Sequence, residues 1–598
     1  MYLNWQKNQF GAPSLDRAPS ALWNSDVTGT ALKVEDTQIF KSNFYLTGMY
    51  SRVNGGFQLV TEGGLNSPAV LGRDDIFRNG FVIYNSDRPQ TQYKADASNF
   101  FNTGSLSHEL RFGAGYRSAE QLDDSSWSGS TGFFGNGTPQ LHFVSGANHT
   151  RDLNKYTSFY LNDTWNFKSF SVNMGVRYDK QVGEDGPSSI DANTNGQGFI
   201  PGFQAPVRQI VDQSNFAPRF GFAWSPGFNA RTVVRGGYGV YYDQLLLGIT
   251  HFDSPVQGQT SVRGFPVFDA NNALAGFFPP LMDTNAFNTG ANRIDPNLLA
   301  PRTDELLLSV EHALLPEFVV GVNLTHRRIS DILEHRDLIV AGGVTRPATA
   351  ADFILQGLVT EQPPGGTTVS IPVFTLERPF TYPIGSGTLL TNGGAETEYK
   401  GASLTFNKRL ANRWMLRGNF TYQDWTWNVP DEEQTLRYPG SVLNQGANGE
   451  AVIIPSPLPE TPSVFINSKW SYNVNWLYQI SPDRPWGFNV AGNVTGRQGY
   501  PLPYFASIRP ADGKVRNLLA GPPDTVRLDD IRIFDARIEK EFSFHKVGLA
   551  IGIDAFNLAG AKTVLQQQPD LSKRLTINGP LEITSPRVFR IGARLTFR

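Results

Sequence analysis

The residue types that most often carry enzyme chemistry are scarce and scattered in this sequence. The 598 residues include eight histidines and no cysteine, so neither a disulfide framework nor a thiolate metal site can form. No HExxH, GxSxG or P-loop pattern is present. His326 and His335 lack the spacing of a ligand pair, and we interpret them as residues of a solvated loop edge. The sequence therefore predicts no catalytic residues and no enzyme.

Three acidic stretches could offer carboxylate oxygens to Ca²⁺: QLDDSS at 121–126, PDEEQ at 430–434 and LDDIR at 528–532. Solvated surface charge explains these stretches more simply, so we expect no metal and no cofactor. The glycine-rich GGYGVYY segment lies inside a strand-like run. Small residues that ease the curvature of a sheet explain it better than phosphate binding does.

Aromatic side chains in loops could stack on a sugar or on another flat ligand. The candidates lie in segments rich in Gly, Pro, Asn and Ser, and they are Trp127, Phe133, Phe134, Trp425, Trp427 and Tyr500. Other aromatic residues, among them Trp165, Trp224 and Tyr241, are placed like the girdles at a membrane surface.

The elements that must position these residues are strands. In the final stretch RVFRIGARLTFR, apolar residues alternate with arginine, glycine and threonine, so one face of a strand is apolar and the other is cationic. The same alternation recurs in HELRFGAGYR and SVNMGVRYD, and we count about 16–18 such strands. No apolar run is long enough for a membrane helix. Near-neutral overall charge, −2, gives no footprint of nucleic-acid binding.

Short and long connections alternate strictly between the strands. Seven short links lie near 102–107, 168–169, 226–231, 315–317, 411–413, 481–486 and 543–546, and long segments separate them. Outer-membrane barrels show this arrangement, with short periplasmic turns and long extracellular loops. In lipid, a closed barrel pairs all its backbone groups internally, and the polar face then lines the lumen. The fold prediction is therefore an all-β, antiparallel transmembrane barrel; a large soluble all-β protein is the alternative.

Several motifs resemble the barrels of TonB-dependent receptors. YTSFYLNDTWNF followed by FSVNMGVRYD resembles one strand pair of that family, and NFAPRFGFAWSP followed by TVVRGGYGVYYD resembles the next pair. FDARIEKEF and DAFNL are similar to the closing strands. The resemblance is greatest to the Oar-like branch, whose full-length members carry a carboxypeptidase-regulatory-like domain and a plug before the barrel. It implies 22 strands, of which 16–18 are visible here.

The start of the chain departs from that pattern. Residues 1–35 are expected to be irregular or to form a partial strand, and neither a signal peptide nor a plug is recognised. The domain prediction is therefore a receptor-like barrel over residues 1–598. The terminal aromatic residue of the family is replaced by Arg598, after Phe597.

The resemblance implies a Gram-negative outer-membrane receptor that binds a nutrient at its extracellular loops and imports it through a plug-gated lumen. Its expected partners are outer-membrane lipid, TonB with its inner-membrane complex, the barrel-assembly machinery and an unknown nutrient ligand, and it is expected to be a monomer that binds no nucleic acid. Lumen-facing arginines are expected to contact the plug or the substrate: Arg111, Arg177, Arg417, Arg590 and Arg594. The alternatives are a structural or adhesive protein that displays its loops, or a non-functional barrel fragment.

Overall fold

The structure of the protein is a computed structural model. The structure describes residues 2–10, 17–67, 69–71, 76–79, 83–126, 128–134, 141–192, 202–227, 231–256, 261–268, 274–278, 292–376, 387–431, 448–455, 465–508, 516–544, 547–573 and 576–597.

One large antiparallel sheet dominates the described part of the chain. Within those residues it contains eighteen strands that follow one another as a meander, each paired with the next along the sequence. The strands are β1 Tyr2–Phe10, β2 Trp23–Phe40, β3 Phe44–Thr61, β4 Ile83–Thr103, β5 Leu106–Ser126, β6 Asn148–Phe167, β7 Phe170–Asp185, β8 Arg208–Trp224, β9 Thr232–Tyr242, β10 Arg302–Leu315, β11 Phe318–Ser330, β12 Glu396–Ala411, β13 Trp414–Asn428, β14 Trp470–Ile480, β15 Phe488–Arg497, β16 Ile531–Phe544, β17 Val547–Phe556 and β18 Val588–Phe597.

The first 35 residues contribute regular strand rather than only irregular chain. β1 pairs with β2 over its whole length, from Tyr2 opposite Ala31 to Phe10 opposite Trp23. At the other edge of the sheet, β18 pairs with β17, and Arg590 lies opposite Asp554. Within the described residues no pairing joins β1 to β18.

The alternation of short and long connections is confirmed. All seven short links expected from the sequence join neighbouring strands at one end of the sheet, and the structure adds an eighth at 41–43. The long connections, including 62–82, 243–301 and 331–395, all leave from the opposite end. One end of the sheet therefore carries the short turns, and the opposite end carries the long connections.

Several strands are longer than the roughly ten residues that cross a bilayer. β4 and β5 each have 21 residues. At about 3.3 Å per residue, each spans roughly 70 Å, well beyond an apolar band of about 25 Å. The extra length lies toward the long connections. Backbone pairing continues there without lipid, so the outward-facing residues need not be apolar.

The long connections carry smaller elements. Their strands are Ala69–Leu71, Phe77–Arg78, Thr131–Phe134, Leu141–Ser145, Ser188–Ile190, Phe203–Ala205, Ser261–Phe268, Leu274–Phe278, Arg293–Ile294, Leu333–Ala341, Val344–Pro347, Phe353–Glu361, Val369–Leu376, Thr388–Asn392, Ile454–Pro455, Phe465–Ile466, Phe505–Ile508, Arg516–Leu519, Val564–Gln567 and Pro580–Ile583. The helical turns are Pro19–Ala21, Ser128–Ser130, α1 Leu247–Thr250, His251–Asp253 and Ala350–Asp352. Among the described residues, no helix combines the length and apolar character needed to span a membrane.

Apolar side chains of the meander strands are largely exposed, whereas the buried core lies among the long connections. Leu161 and Leu324 are about half exposed although they sit in mid-strand, paired on both sides. By contrast, a buried cluster joins three long connections through Ile371, Leu502, Tyr504 and neighbouring residues. An exposed apolar strand face beside a buried loop core is the reverse of a soluble sandwich, whose sheets bury their apolar faces.

Candidate functional site

The cross-strand register assigns the polar side chains to one face of the sheet. Arg117 lies opposite Tyr156, and Tyr160 lies opposite both Gly113 and Arg177, so these residues share a face. The neighbouring positions Phe112, Leu161 and Val176 align on the other face, which is apolar. The two largest cavities described are lined mainly by the polar face. Cavities form on the concave side of a curved sheet, so the polar face is the inner one.

The five arginines expected in the lumen all fall on this inner face. The strands and registers place them opposite inner-face residues of their neighbours: Arg111 opposite Asn162, Arg177 opposite Tyr160, Arg417 opposite Asn475, Arg590 opposite Asp554 and Arg594 opposite Ala550. Three of them have acidic partners. Arg111 pairs with Glu109, Arg177 with Asp179, and Arg590 with Asp554 at 2.9 Å. Their contact with a plug or substrate stays a prediction.

The aromatic loop candidates do not form one group. Trp127 lies outside the described residues, and the backbone of Phe133 and Phe134 forms the short strand Thr131–Phe134. Trp425 and Trp427 were expected in a loop, which is wrong, because β13 continues to Asn428. Trp425 lies opposite Tyr399, on the inner-face register of β13.

Tyr500 lies in the connection after β15, where it packs against a cation. The Arg497 guanidinium carbon lies 3.5 Å from the centroid of the Tyr500 ring. This contact holds Tyr500 in place and covers one face of its ring.

A cavity of about 340 Å³ opens on the inner face of strands β4 to β9. We call it the arginine cavity, because Arg117, Arg177 and Arg219 line it. The guanidinium carbon of Arg117 lies 4.1 Å from the centroid of the Tyr156 ring, and that of Arg219 lies 4.8 Å from the centroid of the Tyr241 ring. Such stacking uses the flat face of the guanidinium and leaves its N–H edge able to donate hydrogen bonds.

Small residues make room for these large side chains. A Cβ atom added to Gly239 would lie 2.9 Å from the hydroxyl oxygen of Tyr241, and one added to Gly113 would lie 2.6 Å from Cε1 of Tyr160. Among the glycines of GGYGVYY, Gly239 therefore accommodates a ring on the inner face. Tyr241, which the sequence placed in a membrane girdle, belongs to this inner wall, and that expectation is wrong.

The chain that follows β9 folds back over the arginine cavity. We call residues 243–256 the inward segment. The Asn154 side chain donates to the Leu245 carbonyl at 3.1 Å, and the Thr250 hydroxyl donates to Asn154 Oδ1 at 2.6 Å. Gln181 Oε1 accepts from the Leu245 N–H at 2.7 Å. Asn154 and Thr250 are completely buried, so α1 sits firmly against the inner wall.

Ion pairs complete the attachment of the inward segment. His251 Nδ1 lies 2.9 Å from Asp152 Oδ2. Arg208 bridges two acids, with its Nη2 2.8 Å from Asp185 Oδ2 and its Nη1 3.6 Å from Asp253 Oδ2. Burial would lower the pKa of His251, but the Asp152 carboxylate raises it, and the net shift is upward. Burial also raises the pKa of Asp253, against the opposing effect of Arg208.

The second cavity, of about 630 Å³, lies against strands β11 to β14 and is mostly uncharged. Arg417 is its one charged lining residue. We call it the amide cavity, because Asn419, Asn473 and Asn475 line it together with serine and threonine side chains. Asn475 donates to Asn473 at 2.5 Å, so the amides bond to one another.

The acidic stretches are partly used within the fold. Asp124 accepts from His149 Nδ1 at 2.6 Å, and Asp530 accepts from the Gly499 N–H at 3.2 Å. Most of PDEEQ lies outside the described residues. In the part of the chain that the structure does describe, no group of three or more His, Cys, Asp or Glu could hold a metal ion.

Comparison with known protein families identifies the family of this strand arrangement. The profile of the outer membrane beta barrel domain matches residues 4–448, most of the chain. The chain belongs to this family. It is therefore a protein of the Gram-negative outer membrane, with its apolar strand face toward lipid and its polar face toward the lumen.

Relatives of known function are transporters. The chain is 22% identical to the TonB-dependent transporter Oar of Myxococcus xanthus over 29% of its own length and 17% of that protein. The solved outer membrane transporter YddB of Escherichia coli matches 99% of this chain with a TM-score of 0.59 at 13% identity, and 65% of YddB is covered. The ferric citrate transporter FecA, in its unliganded form, matches 96% of the chain with a TM-score of 0.50 at 9% identity, over 62% of FecA.

These comparisons agree with the TonB-dependent receptor resemblance of the strand motifs. The chain spans less than two thirds of the length of each of these relatives. The relatives are transporters, not enzymes.

Sequence reasoning missed Arg117, Arg219, Tyr156 and Tyr241 as site residues. Alternation along HELRFGAGYR already placed Arg117 on the same face as Arg111. What the sequence could not reveal was which inner-face residues of distant strands line the same cavity. The structure supplies that, since Arg117 of β5 and Arg219 of β8 both line the arginine cavity.

Proposed function

We propose that this chain forms the barrel of an outer-membrane receptor that binds a nutrient ligand from outside and imports it with energy from TonB. The observation that carries the proposal is the arginine cavity beneath the inward segment. A binding chamber lined by rigid strands, and covered by a chain segment that comes from the long-loop end, suits capture from that side. The name of the Oar relative supports TonB dependence.

In this function the barrel itself makes and breaks no covalent bond. The ligand enters from the side of the long connections and contacts the inner wall. A plug supplied by the protein that contains this barrel closes the lumen, and the energised inner-membrane complex pulls on it through TonB. The barrel acts as a monomer, inserted by the barrel-assembly machinery, and the lumen arginines contact the ligand or the plug.

The test uses the gene in its native host. A deletion strain is complemented with the wild-type gene or with a version in which residues 244–255 are replaced by a short Gly-Ser linker. Medium components that wild-type cells consume are then followed by mass spectrometry, with and without a protonophore. The proposal predicts at least one compound whose energy-dependent depletion requires the intact gene and is reduced by the linker version. Identical depletion by the deletion and wild-type strains would refute import.

A display function is the second candidate, and the buried loop core favours it. Ile371, Leu502 and Tyr504 join separate long connections into one packed layer, as a stable presented surface would require. Import and display differ in one measurable way. A display protein would retain its role, such as surface attachment, after protonophore treatment, whereas uptake would stop.

A further inference from the structure

We infer that the arginine cavity binds an anionic group of the ligand, a carboxylate or a phosphate, through Arg117 and Arg219. This inference rests on the proposed function, because it names the chemistry of the ligand that the same chamber would take.

Both guanidinium groups are positioned without being neutralised. Each stacks on a tyrosine ring, Arg117 on Tyr156 and Arg219 on Tyr241. Within the described residues, neither arginine forms an ion pair with a carboxylate. Stacking fixes the plane of a guanidinium and directs its N–H edge, which is the geometry that binds carboxylate and phosphate oxygens in pairs.

The third arginine shows the contrast. Arg177 Nε lies 2.8 Å from Asp179 Oδ2, and its Nη2 lies 2.7 Å from Asp179 Oδ1. This bidentate pair satisfies Arg177 within its own strand. Apart from Asp179, the only acid that lines the cavity is Asp243. Arg117 and Arg219 therefore face one acid, Asp243, and the described lining keeps one net positive charge.

The cavity has a shape that favours a compact anion. Its volume is about 340 Å³, and its floor includes Gly115 and Ala217, which have little or no side chain. The inward segment contributes Asp243 and Gln244 to its rim. A small anion could therefore reach the guanidinium edges, while the tyrosine rings flank any apolar part of the ligand.

Comparison with the amide cavity indicates that the positive charge is concentrated at the wall of the arginine cavity. The amide cavity is nearly twice as large, yet it is lined by Arg417 and otherwise by uncharged residues. A lumen that needed positive charge only for general solvation would have no reason to place it so unevenly. Arg484, which is exposed in the short connection between β14 and β15, provides a control for the loss of a positive charge away from both cavities.

The experiment measures anion binding by calorimetry on the full-length native protein, purified in detergent from the outer membrane. The probes are succinate and inorganic phosphate, with sucrose as the neutral probe. The variants are Arg117→Gln/Arg219→Gln, Arg117→Lys/Arg219→Lys and Arg484→Gln. Heat-modifiable gel mobility reports whether each variant has folded.

We expect one anion or both to bind the wild-type protein, and affinity to fall as ionic strength rises. The Gln double variant should bind at least about a hundredfold more weakly, since each lost charged hydrogen-bonding group accounts for roughly tenfold or more. The Lys double variant should fall between, because charge remains but the fork and the stacking are lost. Arg484→Gln should bind within about twofold of wild type. Succinate alone would identify a carboxylate ligand, and phosphate alone a phosphate ligand.

Three results would overturn the inference: no anion binding by the wild-type protein, equal binding by the folded Gln double variant, or an equal loss in Arg484→Gln. The first of these includes the case in which another part of the full-length protein occupies both arginines. Failure of the proposed function is a separate outcome. If anions bind through these arginines but the deletion strain loses no uptake, import fails and the inference stands. If the host imports only a neutral compound through this protein, import stands and the inference fails.

Discussion

Replacing Leu324 by arginine should destabilise the barrel, whereas the same replacement of its neighbour Thr325 should be tolerated. Leu324 lies in β11 opposite Leu308 and Ala402, with 45% of its surface exposed on the apolar face. Thr325 is adjacent in sequence and at nearly the same depth, but it lines the amide cavity. The pair therefore separates the effect of the face from the effects of depth and strand, with the same residue introduced at both positions.

The magnitude follows from the depth of Leu324. It lies six residues beyond Phe318, where β11 begins next to a short connection. A rise of about 3.3 Å per residue at a tilt of about 40° places it roughly 15 Å from that end, near the middle of an apolar band of about 25 Å. Arginine facing lipid at mid-depth costs about 2–4 kcal/mol. Val320, on the same face but roughly 5 Å from the end, should cost only about 0–1 kcal/mol when replaced by arginine.

The assay is urea unfolding in lipid vesicles, followed by tryptophan fluorescence and by heat-modifiable gel mobility. The expected order of stability is Thr325→Arg close to wild type, then Val320→Arg, then Leu324→Arg. Equal losses for Leu324→Arg and Thr325→Arg would refute the face assignment. Equal losses for Leu324→Arg and Val320→Arg would refute the placement of the bilayer along the strands.

Two further predictions concern single side chains. Lys408 is fully buried, and its amino group donates to three carbonyl groups, that of Trp414 at 3.1 Å among them. Lys408→Met should therefore lower the free energy of unfolding by about 1.5–3 kcal/mol in the same assay. The control Lys400→Met, at an exposed side chain, should change it by less than about 0.5 kcal/mol. The ion pair of His251 with Asp152 should hold the inward segment most firmly below the ordinary histidine pKa of about 6.5, and this contribution should be lost as pH rises through the raised pKa of His251. Hydrogen-exchange protection of residues 244–256, corrected for intrinsic rates, should therefore fall between about pH 5.5 and 8.5 in the wild type. In His251→Phe it should stay constant.

The faces and ends of the strands could be predicted from the sequence, because both depend on local rules. Side chains alternate with a period of two, so the arginines at 111, 177 and 417 could be assigned to one face without knowing any neighbour. Connection lengths are likewise read directly along the chain. A bilayer requires an apolar outer face only over its own thickness. Beyond the bilayer, the alternation of apolar and polar residues therefore no longer marks a strand. That is why Trp425 was assigned to a loop although β13 continues through it.

The binding site could not be predicted, because it depends on contacts between distant parts of the chain. Tyr241 stacks on Arg219 only because β8 and β9 pair in one particular register. Thr250 reaches Asn154 across 96 residues of sequence. Neither contact follows from periodicity, and a shift of one residue in register would send these side chains to the lipid face.

The two inner walls differ in whether their polar groups already have hydrogen-bond partners or ion-pair partners within the protein. This difference decides which wall can bind a ligand. In the amide cavity, Asn475 donates to Asn473, Asn493 donates to Asn475 at 2.8 Å, and Asn473 donates to a threonine hydroxyl. A ligand there must break protein hydrogen bonds to form its own, so its net gain is small. In the arginine cavity, Arg117 and Arg219 are stacked but carry no acidic partner among the described residues. An anion there replaces only water, and the stacking has already fixed the orientation of both donors. Affinity should therefore arise at the arginine wall, even though the amide cavity is the larger of the two.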